Sequence, residues 1–292
     1  MKIDHFWHLL KTDFSYQSPQ KRRFLVNKYH KWATLIYYIQ LFFTILTESL
    51  TARKRSYEGK TWGKGSLRVL KVAEAAGGKF HVSGLKALED LKGPVVYVAN
   101  HMSLLDTLVL PCILLKFGNV TFVVKEGLLR YPVLGTIIRA IHPIAVTRKN
   151  PRSDLKTVMG KGRDLISDGC SVIIFPQATR SATFEQTTFN SMGVKLAQRA
   201  GVPVVPVALK TDFQDNGRII KDMGAVDPGK DLYINFGNPM LVEGNGQEIH
   251  KKVIQFIVEN LKSWGVKVYP DISVKNSGEP KHPYQEPPAW GL

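Results

Sequence analysis

The sequence predicts an α/β fold: a mixed, largely parallel sheet flanked by helices and preceded by a pair of N-terminal helices. From about residue 66, short runs rich in β-branched residues alternate with longer segments of mixed polarity, a pattern typical of alternating strands and helices. Some runs, such as residues 172–175, are apolar throughout, as expected for strands buried on both faces. With 44% apolar and 10% aromatic residues, the chain can fill a large core and is not intrinsically disordered.

The same pattern assigns seven strands and five helices to this part of the chain. The strands are predicted at residues 79–82, 95–99, 120–124, 144–146, 171–175, 204–209 and 232–236. The helices are predicted at residues 104–115, 135–140, 153–167, 189–200 and 248–264. We divide the 292 residues into N-terminal helices at 1–60, an α/β domain at 61–270 and an irregular, Pro-containing tail at 271–292.

The two cysteines indicate a reducing compartment. Cys112 and Cys170 lie in apolar surroundings and lack the spacing of metal ligands or of a redox motif. A disulfide framework is therefore excluded, and we expect both thiols to be buried and inert.

Positive charge is concentrated at the N-terminus. The formal net charge is +16, and residues 1–60 hold eleven Lys and Arg against four acidic residues. Basic clusters at 21–31 and 53–55 flank an uncharged, aromatic-rich stretch at 32–47, which is short for a spanning helix of about 20 residues. Since both flanks are positive, charge sets no crossing orientation. This stretch is predicted to lie in one leaflet of an anionic membrane, as a monotopic helix.

Residues 3–11 are predicted to form a second, short amphipathic helix, which completes a membrane-associating pair. The alternative is that both helices pack on the domain core. Neither is a cleaved signal peptide, because the apolar run begins late and no small-residue cleavage site follows closely. The basic residues flank an apolar helix and no nucleic-acid motif is present, so no nucleic-acid partner is expected.

The first candidate site follows the strand at 95–99. His101 and Asp106 are five residues apart, about 140° apart on a continuous helix, so they meet only if a turn intervenes. Ser103 could cap a helix that carries Asp106 in its first turn. The carboxylate could then orient the imidazole as a general base. The alternative is that Ser103 and Asp106 form only a capping box and His101 is a loop residue.

Two further polar turns are predicted at the same edge of the sheet. Residues 175–181 follow a buried strand, and Arg180 offers a planar fork for phosphate or carboxylate, unless it forms only a surface ion pair. Lys125 ends another strand before a turn with Pro132 and Gly135, and it could supply a second positive charge to the same anion. Ligands of α/β sheets bind at such carboxyl ends.

Two other chemistries are excluded. Residues 59–66 contain glycines and lysines, but their spacing does not match a P-loop and no β-branched strand precedes them, so phosphoryl transfer is not supported. No Gly-x-Ser-x-Gly motif is present to form a covalent acyl-enzyme. No metal site is predicted.

Four sequence blocks together resemble the glycerolipid acyltransferase family, that is, 1-acylglycerol-3-phosphate and other lysophospholipid acyltransferases of the His-x4-Asp type. The resemblance covers residues 78–240. The blocks are NHMSLLD at 100–106, KEGLLRYPVLG at 125–135, FPQATRS at 175–181 and VPVVPVAL at 202–209, and Arg148 matches an arginine often found in the family.

The chain departs from the family pattern at several positions. Gln177 stands where the family usually has Glu, Ala178 where it has Gly, and Gly127 where it commonly has Glu. Asn190 and Ser191 replace one or two basic residues. Gln177 keeps hydrogen-bonding capacity and loses the charge. Because His101 and Asp106 are intact, these changes affect the expected acceptor more than the expected reaction.

The resemblance implies a membrane-associated acyltransferase of phospholipid biosynthesis. It would move a fatty acyl group from an acyl thioester, acyl-CoA or acyl carrier protein, to a lysophospholipid hydroxyl, with 1-acylglycerol-3-phosphate as the expected acceptor. His101 would be the general base, oriented by Asp106, and no bound cofactor is needed. The substrate-binding residues it implies are Lys125, Gly127, Arg148, Gln177, Ala178, Thr179 and Arg180.

The resemblance also implies a location at the cytoplasmic face of a membrane, the bacterial inner membrane. Two other activities stay open on sequence alone. The same His-Asp pair could act on a different lipid acceptor or activate water, which would make the protein a thioester or ester hydrolase. The basic chain could also bind anionic lipid or nucleic acid without catalysis.

Overall fold

The computed structural model describes residues 1–19, 30–54, 57–177, 179–217 and 223–269. The basic cluster at 21–31 lies largely outside the described residues, as do Ala178 and the predicted irregular tail at 271–292. The N-terminal part contains α1 (Ile3–Thr12), β1 (Tyr16–Gln17), α2 (His30–Lys54) and α3 (Gly59–Ala75).

The elements of the α/β part follow the predicted alternation. All seven predicted strands and all five predicted helices are present, with bounds that move by three residues at most. In chain order the elements are β2 (Lys79–Ser83), α4 (Lys86–Glu89), β3 (Val96–Ala99), α5 (Leu104–Leu114), β4 (Asn119–Lys125), α6 (Leu134–Ala140), β5 (Ile144–Val146), α7 (Pro151–Ser167), β6 (Cys170–Ile174), β7 (Phe184–Glu185), α8 (Met192–Ala200), β8 (Val204–Lys210), β9 (Asp231–Phe236), α9 (Gln247–Ser263) and β10 (Val268–Tyr269).

The start of α8 differs most from prediction. The helix begins at Met192 instead of Phe189, which lies just after a 3₁₀ turn at Gln186–Thr188 and is buried in the core. The Asn190 side chain accepts a hydrogen bond from the Met192 N–H, 3.0 Å away, at the first turn of the helix. A side-chain acceptor two residues ahead of a free N–H is a local alternative to continuing the helix.

Eight strands form one mixed, largely parallel sheet, as predicted. Their order is β1-β2-β9-β8-β3-β6-β4-β5. The five strands from β8 to β5 are parallel to one another, β9 is antiparallel to β8 but parallel to β2, and β1 is antiparallel to β2. Strand β3 lies between β8 and β6 and is buried at every position, which explains its uninterrupted apolar sequence.

The register of the parallel strands places four turns side by side. Val98 pairs with Ile174, and Lys125 pairs with Val146, so β3, β6, β4 and β5 all end at one edge of the sheet. The turns that follow these strands are therefore neighbours in space, although they are far apart in sequence.

Helix α1 packs on the domain core. Its apolar residues Ile3, Phe6 and Leu10 are buried in the same cluster as the sheet, and the Trp7 indole N–H donates to the Cys112 carbonyl at 2.8 Å. The apolar face of α1 is therefore inside the protein, in agreement with the alternative of core packing for this helix, and membrane association of the pair stays a prediction. The domain boundary at residue 60 stays a prediction.

Helix α2 is longer than the uncharged stretch from which it was predicted. It has 25 residues, and Trp32–Lys54 has the length and hydropathy of a helix that could cross a membrane, although 28% of its 18-residue apolar stretch is buried inside the protein. Its inner face contributes Ala33, Tyr37 and Leu41 to the core. Its outer face exposes a large apolar stripe of Trp32, Leu35, Ile36, Ile39, Phe42, Phe43 and Leu50.

The inner face of α2 is also hydrogen-bonded to the segment that follows β8. The Tyr37 hydroxyl donates to the Gln214 side-chain oxygen at 3.1 Å, and the Gln214 amide donates to the Tyr38 hydroxyl at 3.2 Å. Thr34 accepts a hydrogen bond from the Val226 N–H at 3.1 Å. These polar contacts fix the helix at one rotation about its axis.

Helix α3 was not predicted, and it contains the glycines of the rejected P-loop. A Cβ atom at Gly65 would lie 2.4 Å from the Glu48 carboxylate, which is buried and accepts hydrogen bonds from Tyr57 and Arg68. A Cβ atom at Gly63 would lie 2.9 Å from the Trp7 ring. These glycines therefore allow α1 and α2 to approach α3 closely, and their role is packing.

Candidate active site

The turn after β3 brings His101 and Asp106 together. Their side chains are joined by a 2.7 Å hydrogen bond between Nδ1 and Oδ2. Ser103 caps α5 and Asp106 lies in its first turn, where the two residues form a complete capping box. The capping box and the His101–Asp106 pair are therefore both present. The cap holds the Asp106 carboxylate within hydrogen-bond distance of His101 Nδ1.

Four donors surround the Asp106 carboxylate, which is 1% exposed. Its Oδ2 accepts from His101 Nδ1, from the Met102 N–H at 2.7 Å and from the Ser103 N–H at 3.1 Å, and its Oδ1 accepts from the Thr211 hydroxyl. Every bond is donated to the carboxylate, which suits the ionised form. A bond from Nδ1 to a carboxylate requires the proton on Nδ1, and this tautomer leaves Nε2 of His101 free to accept one.

An aromatic ring fixes the plane of the imidazole. His101 stacks on Phe175, with ring centroids 4.2 Å apart and an angle of 18° between the planes. Phe175 in turn stacks on Phe122 at 6.1 Å. The His101 side chain is 14% exposed, so a small part of the ring remains open to a ligand.

The turn after β6 converges on the turn after β3, as predicted. The Ser181 N–H donates to the His101 carbonyl at 3.1 Å, and the Gln177 side-chain oxygen accepts from the His101 N–H at 2.7 Å. Gln177 is only 6% exposed. The Gln177 side-chain oxygen therefore holds the backbone of His101 through this hydrogen bond. The expected contact of Gln177 with substrate stays a prediction.

Two arginines lie close together at this edge. Arg148 follows β5 with a φ of 58°, in the left-handed region, and the Asp154 carboxylate accepts from its N–H at 2.7 Å and from the Thr147 N–H at 2.8 Å. Partial desolvation of the guanidinium and the nearby positive charge of Arg180 lower the pKa of Arg148, and Asp154 opposes this. Guanidinium groups are donors suited to phosphate or carboxylate, and the expectation that these two bind an anion stays a prediction.

The remaining predicted residues are more open. Lys125 is exposed at the end of β4, and Gly127 lies in a 3₁₀ turn, where a Cβ atom would contact only the Lys125 side chain, at 3.8 Å. Thr179 is exposed, and Ala178 is outside the described residues. In the part of the chain described, no group of three or more His, Cys, Asp or Glu could hold a metal ion.

Both cysteines lie away from this edge of the sheet. Cys112 is fully buried, and burial raises the pKa of its thiol to about 12. Cys170 is only partly buried, which differs from the expectation of two buried thiols, and this partial burial raises the pKa of its thiol to about 11. Both thiols are therefore protonated at neutral pH, as expected for inert cysteines.

Several residues that hold the site were not predicted. The Asn100 side chain exchanges two 2.8 Å hydrogen bonds with the backbone of Leu209, Asn216 donates to the Met102 carbonyl, and Asn190 donates to the Pro176 carbonyl. Thr211 contacts Asp106 directly. Thr211 and Asn216 follow the block at 202–209, and no motif in the sequence connects them with residues 100–106.

The chain is similar to known acyltransferases. The Acyltransferase family model matches residues 79–210. A 1-acyl-sn-glycerol-3-phosphate acyltransferase of Pseudomonas aeruginosa is 28% identical over 243 residues, which are 83% of this chain and 86% of that protein. A chloroplastic 1-acyl-sn-glycerol-3-phosphate acyltransferase of Brassica napus is 33% identical over 132 residues, which are 45% of this chain and 37% of that one.

A solved structure has the same fold. The crystal structure of the 1-acyl-sn-glycerophosphate (LPA) acyltransferase from Thermotoga maritima superimposes with a TM-score of 0.59 and 20% identity, over 87% of this chain and all of that one. The family match and the names of these relatives support an O-acyltransferase. Over residues 79–210 the chain is similar to the glycerolipid acyltransferases.

Proposed function

We propose that this enzyme transfers a fatty acyl group from an acyl thioester to the free hydroxyl of 1-acyl-sn-glycerol-3-phosphate. The names of its relatives support this acceptor. The observation that carries the proposal is the 2.7 Å pair of His101 and Asp106 at an edge that also bears Lys125, Arg148 and Arg180. For an acceptor that carries both a hydroxyl and a phosphate, the base can activate the hydroxyl and the cations can bind the phosphate.

In the proposed reaction, His101 is the general base. Its Nε2 accepts the proton of the acceptor hydroxyl as the oxygen attacks the thioester carbonyl, and Asp106 stabilises the imidazolium that forms. The carbon–sulfur bond then breaks and the imidazolium returns the proton to the leaving thiolate. An ester and a free thiol result. Backbone N–H groups of the turn at 175–181 are the candidates for stabilising the oxyanion.

Lys125, Arg148 and Arg180 are proposed to bind the acceptor phosphate. Arg148 and Arg180 can each donate two parallel hydrogen bonds, and Lys125 adds charge from the neighbouring strand end. Binding the phosphate fixes the acceptor hydroxyl near the thioester. The contributions of Gly127, Gln177, Ala178 and Thr179 to substrate binding are part of the same proposal.

Helix α2 is proposed to lie in one leaflet of an anionic membrane. Its apolar stripe is exposed, and Arg53 and Lys54 at its end can contact lipid phosphates. A crossing orientation would separate its inner face, with buried Tyr37 and Leu41, from the core. We place the enzyme on the cytoplasmic face of a bacterial inner membrane, where acyl-CoA or acyl carrier protein supplies the acyl group.

An assay with labelled donor and an acceptor panel tests this function. The purified protein in mixed micelles is given acyl-CoA or acyl carrier protein, each with lysophosphatidate or another lysophospholipid. We expect a diacyl product with lysophosphatidate as preferred acceptor. Free fatty acid as the main product would instead identify a hydrolase, and binding of anionic vesicles without turnover would identify a non-catalytic lipid-binding protein.

A further inference from the structure

A buried hydroxyl lies on the side of Asp106 opposite His101. Thr211 follows directly after β8, the neighbour of β3, and is 1% exposed. Its Oγ1 donates to Oδ1 of Asp106, whereas His101 is bonded to Oδ2. Thr211 therefore contacts the one carboxylate oxygen that neither the imidazole nor the backbone of the turn at 100–106 contacts.

The hydrogen bonds around Thr211 have only one possible direction. The Asp106 carboxylate can only accept, so the single hydroxyl proton of Thr211 must be donated to it. Thr211 must then accept from Ser103 Oγ, 2.9 Å away, and Ser103 Oγ in turn accepts from the Leu105 N–H at 3.2 Å. The chain of donors ends on Asp106, and each bond polarises the next.

The segment that carries Thr211 is fixed on both sides. On one side, Asn100 bonds to Leu209, two residues before Thr211, and ties the end of β8 to the turn that carries His101. On the other side, Gln214 is buried and bonded to Tyr37, and its N–H bonds to the Thr211 carbonyl. The hydroxyl is thus held in place independently of Asp106, as a positioning group requires.

We propose that Thr211 is a positioning residue for catalysis, the third member of a His101–Asp106–Thr211 unit. It fixes rotation of the carboxylate about its Cβ–Cγ bond, so that Oδ2 points at His101 Nδ1 when the imidazolium forms. Thr211 does not touch substrate. The inference rests on the proposed role of His101 as general base, and it adds a residue that none of the four sequence blocks contains.

Three substitutions test the proposal. Thr211→Val keeps the shape and removes the hydroxyl, and we expect kcat to fall about 10- to 100-fold with little change in KM for the acceptor. Thr211→Ser restores the donor and should recover most of the wild-type kcat. Thr121→Val is the matched control, because Thr121 is equally buried and donates to the Ile141 carbonyl away from the site. It should lose comparable stability and no activity.

The outcomes separate this inference from the function on which it rests. If His101→Ala is inactive while Thr211→Val keeps kcat within about twofold of wild type, the role of Thr211 is wrong and the proposed mechanism stands. If Thr211→Ser is as impaired as Thr211→Val, the methyl group and not the hydroxyl matters, which also overturns the inference. If His101→Ala is active, the mechanism itself fails. Thermal unfolding of each variant shows that it is folded.

Discussion

The turns after β3 and β4 lie at the same edge of the sheet and are built in opposite ways. In the turn after β3, Asp106 is buried and accepts four hydrogen bonds, and His101 is held by a ring, a side chain and a backbone N–H. In the turn after β4, Lys125 is exposed, and a Cβ atom at the half-buried Gly127 would contact only the Lys125 side chain.

The difference shows which part of the site tolerates change. A proton transfer depends on sub-ångström placement, so its residues are fixed by many contacts. A cation that attracts a phosphate acts over a longer distance and needs fewer constraints. This explains why the departure from the family pattern at Gly127 coincides with an intact His101 and Asp106. Gln177 lies in the fixed part, where its amide supplies the oxygen that accepts from the His101 N–H.

The largest effect is expected from His101→Ala. Without the general base, kcat should fall by a factor of about 10³ or more at unchanged stability. His81→Ala is the control, since His81 also pairs with a carboxylate, Asp231 at 3.0 Å, on a distant part of the sheet. Steady-state acyl transfer measures both. Equal losses in the two variants would contradict the assignment of the base.

Arg180→Gln should have the next largest effect, and on binding. Losing one guanidinium from the Arg148–Arg180 site should raise KM for a phosphorylated acceptor about 10-fold or more, with a smaller change in kcat. The exposed Arg199 on α8 provides the control substitution Arg199→Gln. An acceptor that lacks phosphate should show no difference between the two variants. A fall in kcat with unchanged KM would contradict a role in phosphate binding and would place Arg180 with the residues that position His101.

Substitutions of Gln177 test whether its hydrogen bond to the His101 N–H is needed for activity. Gln177→Leu removes the acceptor of the His101 N–H and should lower kcat about 5- to 10-fold, whereas Gln177→Glu keeps an acceptor oxygen and should stay within about threefold of wild type. Acyl transfer with lysophosphatidate is the measurement. Activity in Gln177→Leu together with its loss in Gln177→Glu would contradict this role of the hydrogen bond, because the charge at position 177 would then matter more.

Asp154 gives the smallest effect, on stability. Burial alone raises the pKa of Asp154. The N–H groups of Thr147 and Arg148, the Thr147 hydroxyl and the charge of Arg148 together lower this pKa by more, so the net shift is downward. Its contribution is present above the unfolded-state pKa and is lost as pH falls through the lower folded-state pKa. Asp154→Asn should therefore lower Tm by about 3 °C at pH 7 and by less at pH 3. A pH-independent difference would contradict this.

The sequence predicted the regular part of the fold well because local pattern and burial agree there. Strands such as β3 and β6 are short, apolar and followed by polar turns, so both their location and the shared edge could be inferred. Helix α3 was missed because its glycines lower helix propensity, and only its contacts with Trp7 and Glu48 explain them. Sequence pattern does not contain such tertiary contacts.

The candidate site shows the same division. The pairing of His101 with Asp106 followed from their spacing and from Ser103, which are local features. The contacts of Thr211, Asn190 and Asn216 join segments from 14 to more than 100 residues apart, and each is a common residue type in an ordinary loop. Contacts of this kind depend on strand order, which the pattern of elements leaves open.

The contact between α2 and Gln214 has a consequence for protein engineering. Removing residues 1–54 would be the obvious way to obtain a water-soluble fragment, since it deletes the apolar stripe. It would also remove Tyr37, Tyr38 and Thr34, and leave the buried Gln214 amide and the Val226 N–H without these partners. Substituting outward-facing residues such as Phe42 and Phe43 with polar ones is the better route, because it keeps the contacts of α2 with Gln214 and so the support of Thr211.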